Sequence, residues 1–147
     1  MLKEVSDHFE VLTLVHQTID NMIEGLSQDQ WLYRPNGTFN NIASIIDHTA
    51  RVEKKFISAI SGEPLDIDTQ APFKESQWDV PTIQKAWVDT LPYTRDVLER
   101  LTESDLDKPG LSLRVGELNR RQLIVFTISH TTHHRGQIPL VMKLFQG

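Results

Sequence analysis

Leu118-Asn-Arg-Arg-Gln-Leu123-Ile-Val-Phe-Thr-Ile-Ser-His130-Thr-Thr-His133-His134-Arg-Gly-Gln137-Ile-Pro-Leu-Val-Met-Lys-Leu-Phe145 decides how the chain folds. Its apolar residues recur at three- and four-residue steps, which predicts one helix from about Leu118 to Phe145. A helix turns about 100° per residue. Leu123, Phe126, Thr127, His130, His134, Gln137, Val141 and Leu144 then lie within about 60° of one line. His130 and His134 straddle the middle of that stripe, and His133 falls at its edge. Imidazoles at i, i+4 have Cβ atoms about 6 Å apart, within reach of one ion. Burying two of them without partners would cost several kcal/mol. A metal ion satisfies both; so would hydrogen bonds to each other or to backbone, and spacing alone leaves both readings open. Pro139 should disturb the helix near its end.

Three earlier segments share this periodicity. The first runs from about Val5 to Leu26. The second runs from about Asn41 to Ile60, with Asn40 or Asn41 as N-cap and Gly62 beyond its end. The third runs from about Pro81 to Leu101, capped by Asp79, and Pro92 inside it should kink or loosen it. Leu111–Val115 alone alternates like a strand and is too short to found a sheet. It reads as an ordered loop or short extended piece. The expectation is an all-α four-helix bundle in one domain, residues 1–147. The connection from Gly62 to Val80 exceeds the roughly 2–8 residues usual between helices. It can therefore cross the bundle, so that the second and third helices need not be antiparallel neighbours. Trp31, Tyr33, Phe73 and Trp78 fall in connections, where they cap the core or line a pocket.

A third metal ligand has to come from another helix. His48 lies on the flank of the second helix's stripe and is the leading candidate. Asp47 beside it points elsewhere, toward solvent. Glu53 lies within the stripe, as a hydrogen-bond acceptor for a ligating His, a general base, or a core-edge residue reaching outward. His16 and His8 lie on the first helix's stripe about 12 Å apart, so at most one reaches a given ion. His16 is the deeper, and a structural role outweighs a ligand role for it.

Composition closes other routes. There is no cysteine, so disulfides, thiolate metal sites and a cysteine nucleophile are excluded. The formal net charge of -5 gives no electrostatic reason to bind nucleic acid. Arg120-Arg121, the only tight arginine pair, reads as a helix-start surface feature. No 18-residue apolar run predicts a membrane helix, and charges occupy the region where a signal peptide needs apolar residues. A cytoplasmic location is expected. Position 131 is Thr, so the HExxH protease pattern fails, and no Gly-rich phosphate loop is present.

The chain resembles the DinB/YfiT-like superfamily of metal-binding four-helix proteins. The resemblance rests on Ile45-Ile46-Asp47-His48, the long connection that follows, and His130-x3-His134-Arg135-Gly136-Gln137. It implies a bundle with a crossover connection between helices two and three, and a divalent ion, zinc or nickel, on His48, His130 and His134. It further implies a homodimer acting on a small-molecule substrate. Members of the family use a low-molecular-weight thiol such as bacillithiol, mycothiol or glutathione in transfer or isomerisation; others look like metal-dependent hydrolases. A thiol S-transferase-like enzyme is therefore expected, with a hydrolase or a non-catalytic stress-related binding protein as alternatives. Gln137 can orient a ligand or hold a helix contact. Arg135, off the stripe, is expected in a structural or interface salt bridge.

Overall fold

In the computed structural model, which describes residues 1–146, four long helices carry the chain: α1 (Lys3–Ile23), α3 (Ile42–Ser61), α5 (Val80–Glu99) and α6 (Arg120–Gln146). Two short helices, α2 (Gln28–Leu32) and α4 (Ala71–Lys74), lie in the connections. The expected helix bounds hold to within a few residues. Asn41 Oδ1 accepts from the Ser44 amide at 2.7 Å and starts α3; Gly62, at φ 87°, ends it in the left-handed conformation that glycine adopts freely. Asp79 caps α5. Asn119 and Gln122 exchange side-chain-to-amide hydrogen bonds and start α6.

Neither proline ends its helix. α5 continues through Pro92 and α6 through Pro139. The lost hydrogen bond is outweighed by burial on either side, of Trp87 and Leu98 in α5 and of His134 and Val141 in α6. The Leu111–Val115 segment belongs to a small antiparallel hairpin, β1 (Pro109–Leu113) with β2 (Gly116–Asn119), closed at Gly116 with φ 128°. Leu118, expected inside the last helix, is in β2. The hairpin's Leu111, Leu113 and Leu118 pack on the core, which gives a short ribbon the apolar support it lacks alone.

Two clusters at opposite ends of the bundle set the helix directions. One joins Val5 and Phe9 of α1 with Phe56 and Ile60 of α3, Val97 and Leu98 of α5, and Leu123 of α6. The other joins Ile19, Ile42 and Ile46, Ile83 and Trp87, and Ile138 and Val141. Hence α1 and α6 run one way, and α3 and α5 run the other. α3 packs on α5 and α6, and α1 packs on the same two helices, so α1 stands diagonally across from α3. The second and third long helices are neighbours, but parallel ones. The chain must return the length of α3, about 30 Å, before α5 begins. That is the physical reason for the long crossover connection.

A buried polar bridge spans the α1–α3 diagonal. Glu53 is 1 % exposed and accepts hydrogen bonds from His16 Nε2 at 2.8 Å and Thr94 Oγ1 at 3.0 Å. His16 stacks on Trp87, and the Trp87 Nε1–H donates to Asp20. Glu53 therefore does not reach outward. Trp31 is buried at one end of the core, as expected of a capping aromatic. Arg121 ties the start of α6 to Glu4 on α1 and to Asp107, so the arginine pair does more than decorate a surface. Asp47 pairs with Arg51 at 2.9 Å and is not left to solvent.

Glu53→Ala leaves the His16 and Thr94 donors buried without an acceptor. It should lower the unfolding free energy by about 3 kcal/mol in a urea titration. A loss below about 1 kcal/mol would mean that water enters and satisfies both donors.

Candidate metal centre

The α3–α6 seam brings His48 against His130 and His134, 82 residues further along for the nearer of the two. His48 Nε2 lies 3.3 Å from His130 Nε2, which lies 3.1 Å from His134 Nε2. All three nitrogens fall within 4.8 Å of one another, and among the described residues no carboxylate joins them. His48 and His134 are buried; His130 is half-buried.

The protons of two rings are assigned by their other nitrogens. His48 Nδ1 is 2.6 Å from the Thr69 carbonyl, which can only accept. Nδ1 therefore carries the proton, and Nε2 presents a lone pair to the centre. His134 Nδ1 donates in the same way to Gln137 Oε1 at 2.7 Å. Gln137 is one turn past His134, on the shared stripe. His130 Nδ1 is buried without a partner among the described residues. A single proton on His130 Nε2 can bridge its two neighbours, and it is this proton that a cation would displace.

The surroundings keep the rings neutral. Phe73, in α4, packs on His48 at 4.5 Å between centroids, and Phe56 stands 6.1 Å from His130. Burial, followed by the neighbouring imidazoles, pushes His130 down to about 3. Burial pushes His134 down to about 4, against the opposing effect of the hydrogen bond that it donates to Gln137. Burial also lowers His48, more than the Thr69 carbonyl raises it.

These residues fit a divalent ion. Neutral imidazole is the required donor form. Nitrogens bound at about 2.0–2.1 Å to one tetrahedral ion stand roughly 3.3 Å apart, close to the 3.3 Å and 3.1 Å that separate His130 Nε2 from its two neighbours. Carbonyl and amide partners on the outer ring nitrogens are the usual means of orienting such ligands.

Among the other expected residues, His16 and Glu53 are engaged with each other and lie outside the cluster. His133 is exposed, its ring 5.0 Å from His134. Among the described residues Arg135 makes no salt bridge; its Nε donates to Thr18 Oγ1 at 2.8 Å, because its side of α6 meets α1, which offers a hydroxyl there. Residue type alone does not mark Thr69 and Phe73 as parts of the centre. One contributes a backbone carbonyl, which leaves no mark in sequence; the other was visible only as an aromatic in a connection.

An all-α bundle with three convergent histidines on its second and last long helices defines a class, and the comparisons agree with it. The DinB superfamily model matches residues 12–138, and the chain belongs to that superfamily. A conserved protein from Enterococcus faecalis has a similar structure, with a TM-score of 0.78 at 16% identity over 98% of each chain. A DinB-like protein from Bacillus subtilis has a TM-score of 0.66 at 19% identity, over 99% of this chain and 94% of that one. At such identities the likeness is one of fold. No curated protein matches the sequence. Among the described residues, no helix is long and apolar enough to cross a membrane.

The lowered histidines give metal-free protein a definite pH response. Unfolded histidine titrates near 6.5. Between about pH 6.5 and the folded values near 4 and 3, the unfolded chain binds more protons than the folded one. Stability is thus complete above about pH 6.5 and falls as pH drops toward 4. At pH 5, His130 and His134 should each cost up to about 2 kcal/mol. Urea titrations of chelator-treated protein at pH 7.5 and 5.0 measure the loss, and His130→Gln should reduce it. Equal stabilities at the two pH values would refute the assignment.

Proposed function

We propose that this protein binds one divalent ion, zinc or nickel, through Nε2 of His48, His130 and His134. We further propose that it is an enzyme of the thiol S-transferase kind. The observation that carries the reading is the convergence of three imidazole nitrogens, two of them with their protons held on the far side of the ring. An ion in that position supplies an open coordination site at which a thiol or water loses its proton more easily. The chain has no cysteine, so a thiol must arrive as a small molecule. This step follows the resemblance to thiol-using members of the family.

The chain's own residues prepare the centre. Thr69 and Gln137 fix the tautomers and planes of His48 and His134. Phe73 packs on His48 and Phe56 stands beside His130, adding to the burial that lowers both pKa values. Glu53 holds α1, α3 and α5 together through His16 and Thr94 and has no free oxygen to offer a substrate. The family resemblance also implies a homodimer, which sedimentation velocity would read directly.

Metal analysis comes first. Wild-type protein should bind about one zinc or nickel ion with micromolar or tighter affinity. His48→Ala and His134→Ala should each abolish this, whereas His133→Ala should leave it intact. Gln137→Ala should weaken affinity about 10–100-fold. Absence of stoichiometric metal in the wild type would overturn the site.

Turnover comes second. Metal-loaded protein should conjugate bacillithiol or glutathione to a general electrophile, and chelator should stop it. Metal-dependent ester cleavage without thiol would make the protein a hydrolase on the same centre. Tight metal binding without either activity would make it a binding protein.

A further inference from the structure

A groove of about 940 Å³ runs between α3 and α5 on a side of the bundle that none of the three imidazoles lines. Buried Ala50 and Ile83 and exposed Ala86 line it, together with Ile67 and Trp78 of the crossover connection. The Trp78 indole is held in place: its Nε1–H donates to the Pro72 carbonyl at 2.9 Å, and the Arg34 guanidinium lies 5.2 Å over the ring. Tyr93 lines it near Lys54. From the Asp79 cap to Tyr93, α5 advances about 20 Å. The volume is that of a small-molecule site, and polar and charged side chains line it beside the apolar ones.

The charges along the groove are not equivalent. Asp47 is taken by Arg51, Asp89 by Lys85, and Asp79 by the amide that starts α5. Lys54 has no carboxylate within salt-bridge distance among the described residues; its ammonium stands 5.9 Å from the Tyr93 ring. Arg51 lies three residues before Lys54 on the same face of α3. It spends Nε on Asp47 and Nη1 on the Asp68 carbonyl, which leaves Nη2 for a ligand. At the opposite end, Glu75 of the crossover connection is the one lining carboxylate engaged by neither ion pair nor cap.

We propose that this groove is a second binding site, for an elongated monoanion with an apolar body. Its carboxylate or sulfonate meets Lys54 and Arg51, its body lies over Ala50, Ala86 and Ile83 against Tyr93, and its far end carries no negative charge, because Glu75 stands there. The site is independent of the metal centre: it shares no side chain with the three imidazoles and needs no ion.

The probe is 8-anilinonaphthalene-1-sulfonate, an aromatic monoanion whose emission rises on leaving water. Full-length protein, with and without added zinc, should bind it saturably at about one site per chain. Octanoate should displace it; octylamine and octanedioate should do so at least about five-fold less well. Lys54→Glu and Ala86→Glu should each weaken the probe about five- to ten-fold. Both positions are solvent-exposed, so the fold should be retained, and far- and near-UV circular dichroism confirms it. Lys54→Gln, which only removes the charge, should fall between wild type and Lys54→Glu. Absence of saturable binding, displacement by octylamine as good as by octanoate, or unchanged affinity in both glutamate variants would overturn the proposal.

Discussion

Helix α3 is covered on almost every side, and its buried polar groups must therefore find partners within the protein. An unpaired one would cost about 1–3 kcal/mol. All six buried polar residues from its cap to Ser58 do find partners. Asn41, Ser44, Thr49 and Ser58 bond nearby backbone groups. Glu53 reaches α1 and α5. His48 reaches outward to the crossover connection with one nitrogen and inward to α6 with the other. Satisfying this one helix thus specifies much of what surrounds it.

The crossover connection follows from the same constraint. α3 and α5 are parallel neighbours, so the chain must travel back along the bundle, and it does so against α3. On the way it delivers the Thr69 carbonyl to His48 and the Phe73 ring to the same imidazole. The Arg51 side chain and Ser58 Oγ hold the connection at Asp68 and Leu65. The carbonyl aims His48 at the centre, and the phenyl ring adds to the burial that lowers its pKa. A long loop that would otherwise be costly in ordering entropy becomes part of the site.

Two kinds of buried histidine result. His16 has a carboxylate partner and a stacking ring, so its Nε2 is used within the fold. His48, His130 and His134 have only one another on their inner sides. Two of their three outer nitrogens are engaged and the third is bare. Burial alone therefore does not mark a candidate ligand. What separates the two groups is the direction in which the unshared nitrogens point.

The helices were legible in the sequence because amphipathic periodicity and caps such as Asn41, Gly62 and Asp79 act locally, through the same backbone geometry wherever they occur. His130 and His134 were legible for the same reason: four residues on a helix fix their separation and their common face. His48 could be named as their partner only through its place on another apolar stripe and through family resemblance. Its approach to within 3.3 Å depends on how α3 and α6 pack. Tertiary structure alone decided that α3 and α5 run parallel, that Arg135 meets a hydroxyl and not a carboxylate, and that Glu53 belongs to His16. It alone decided that a backbone carbonyl orients a candidate ligand. Each of these joins groups distant in sequence, and periodicity assigns a residue to a face without saying which surface that face will meet.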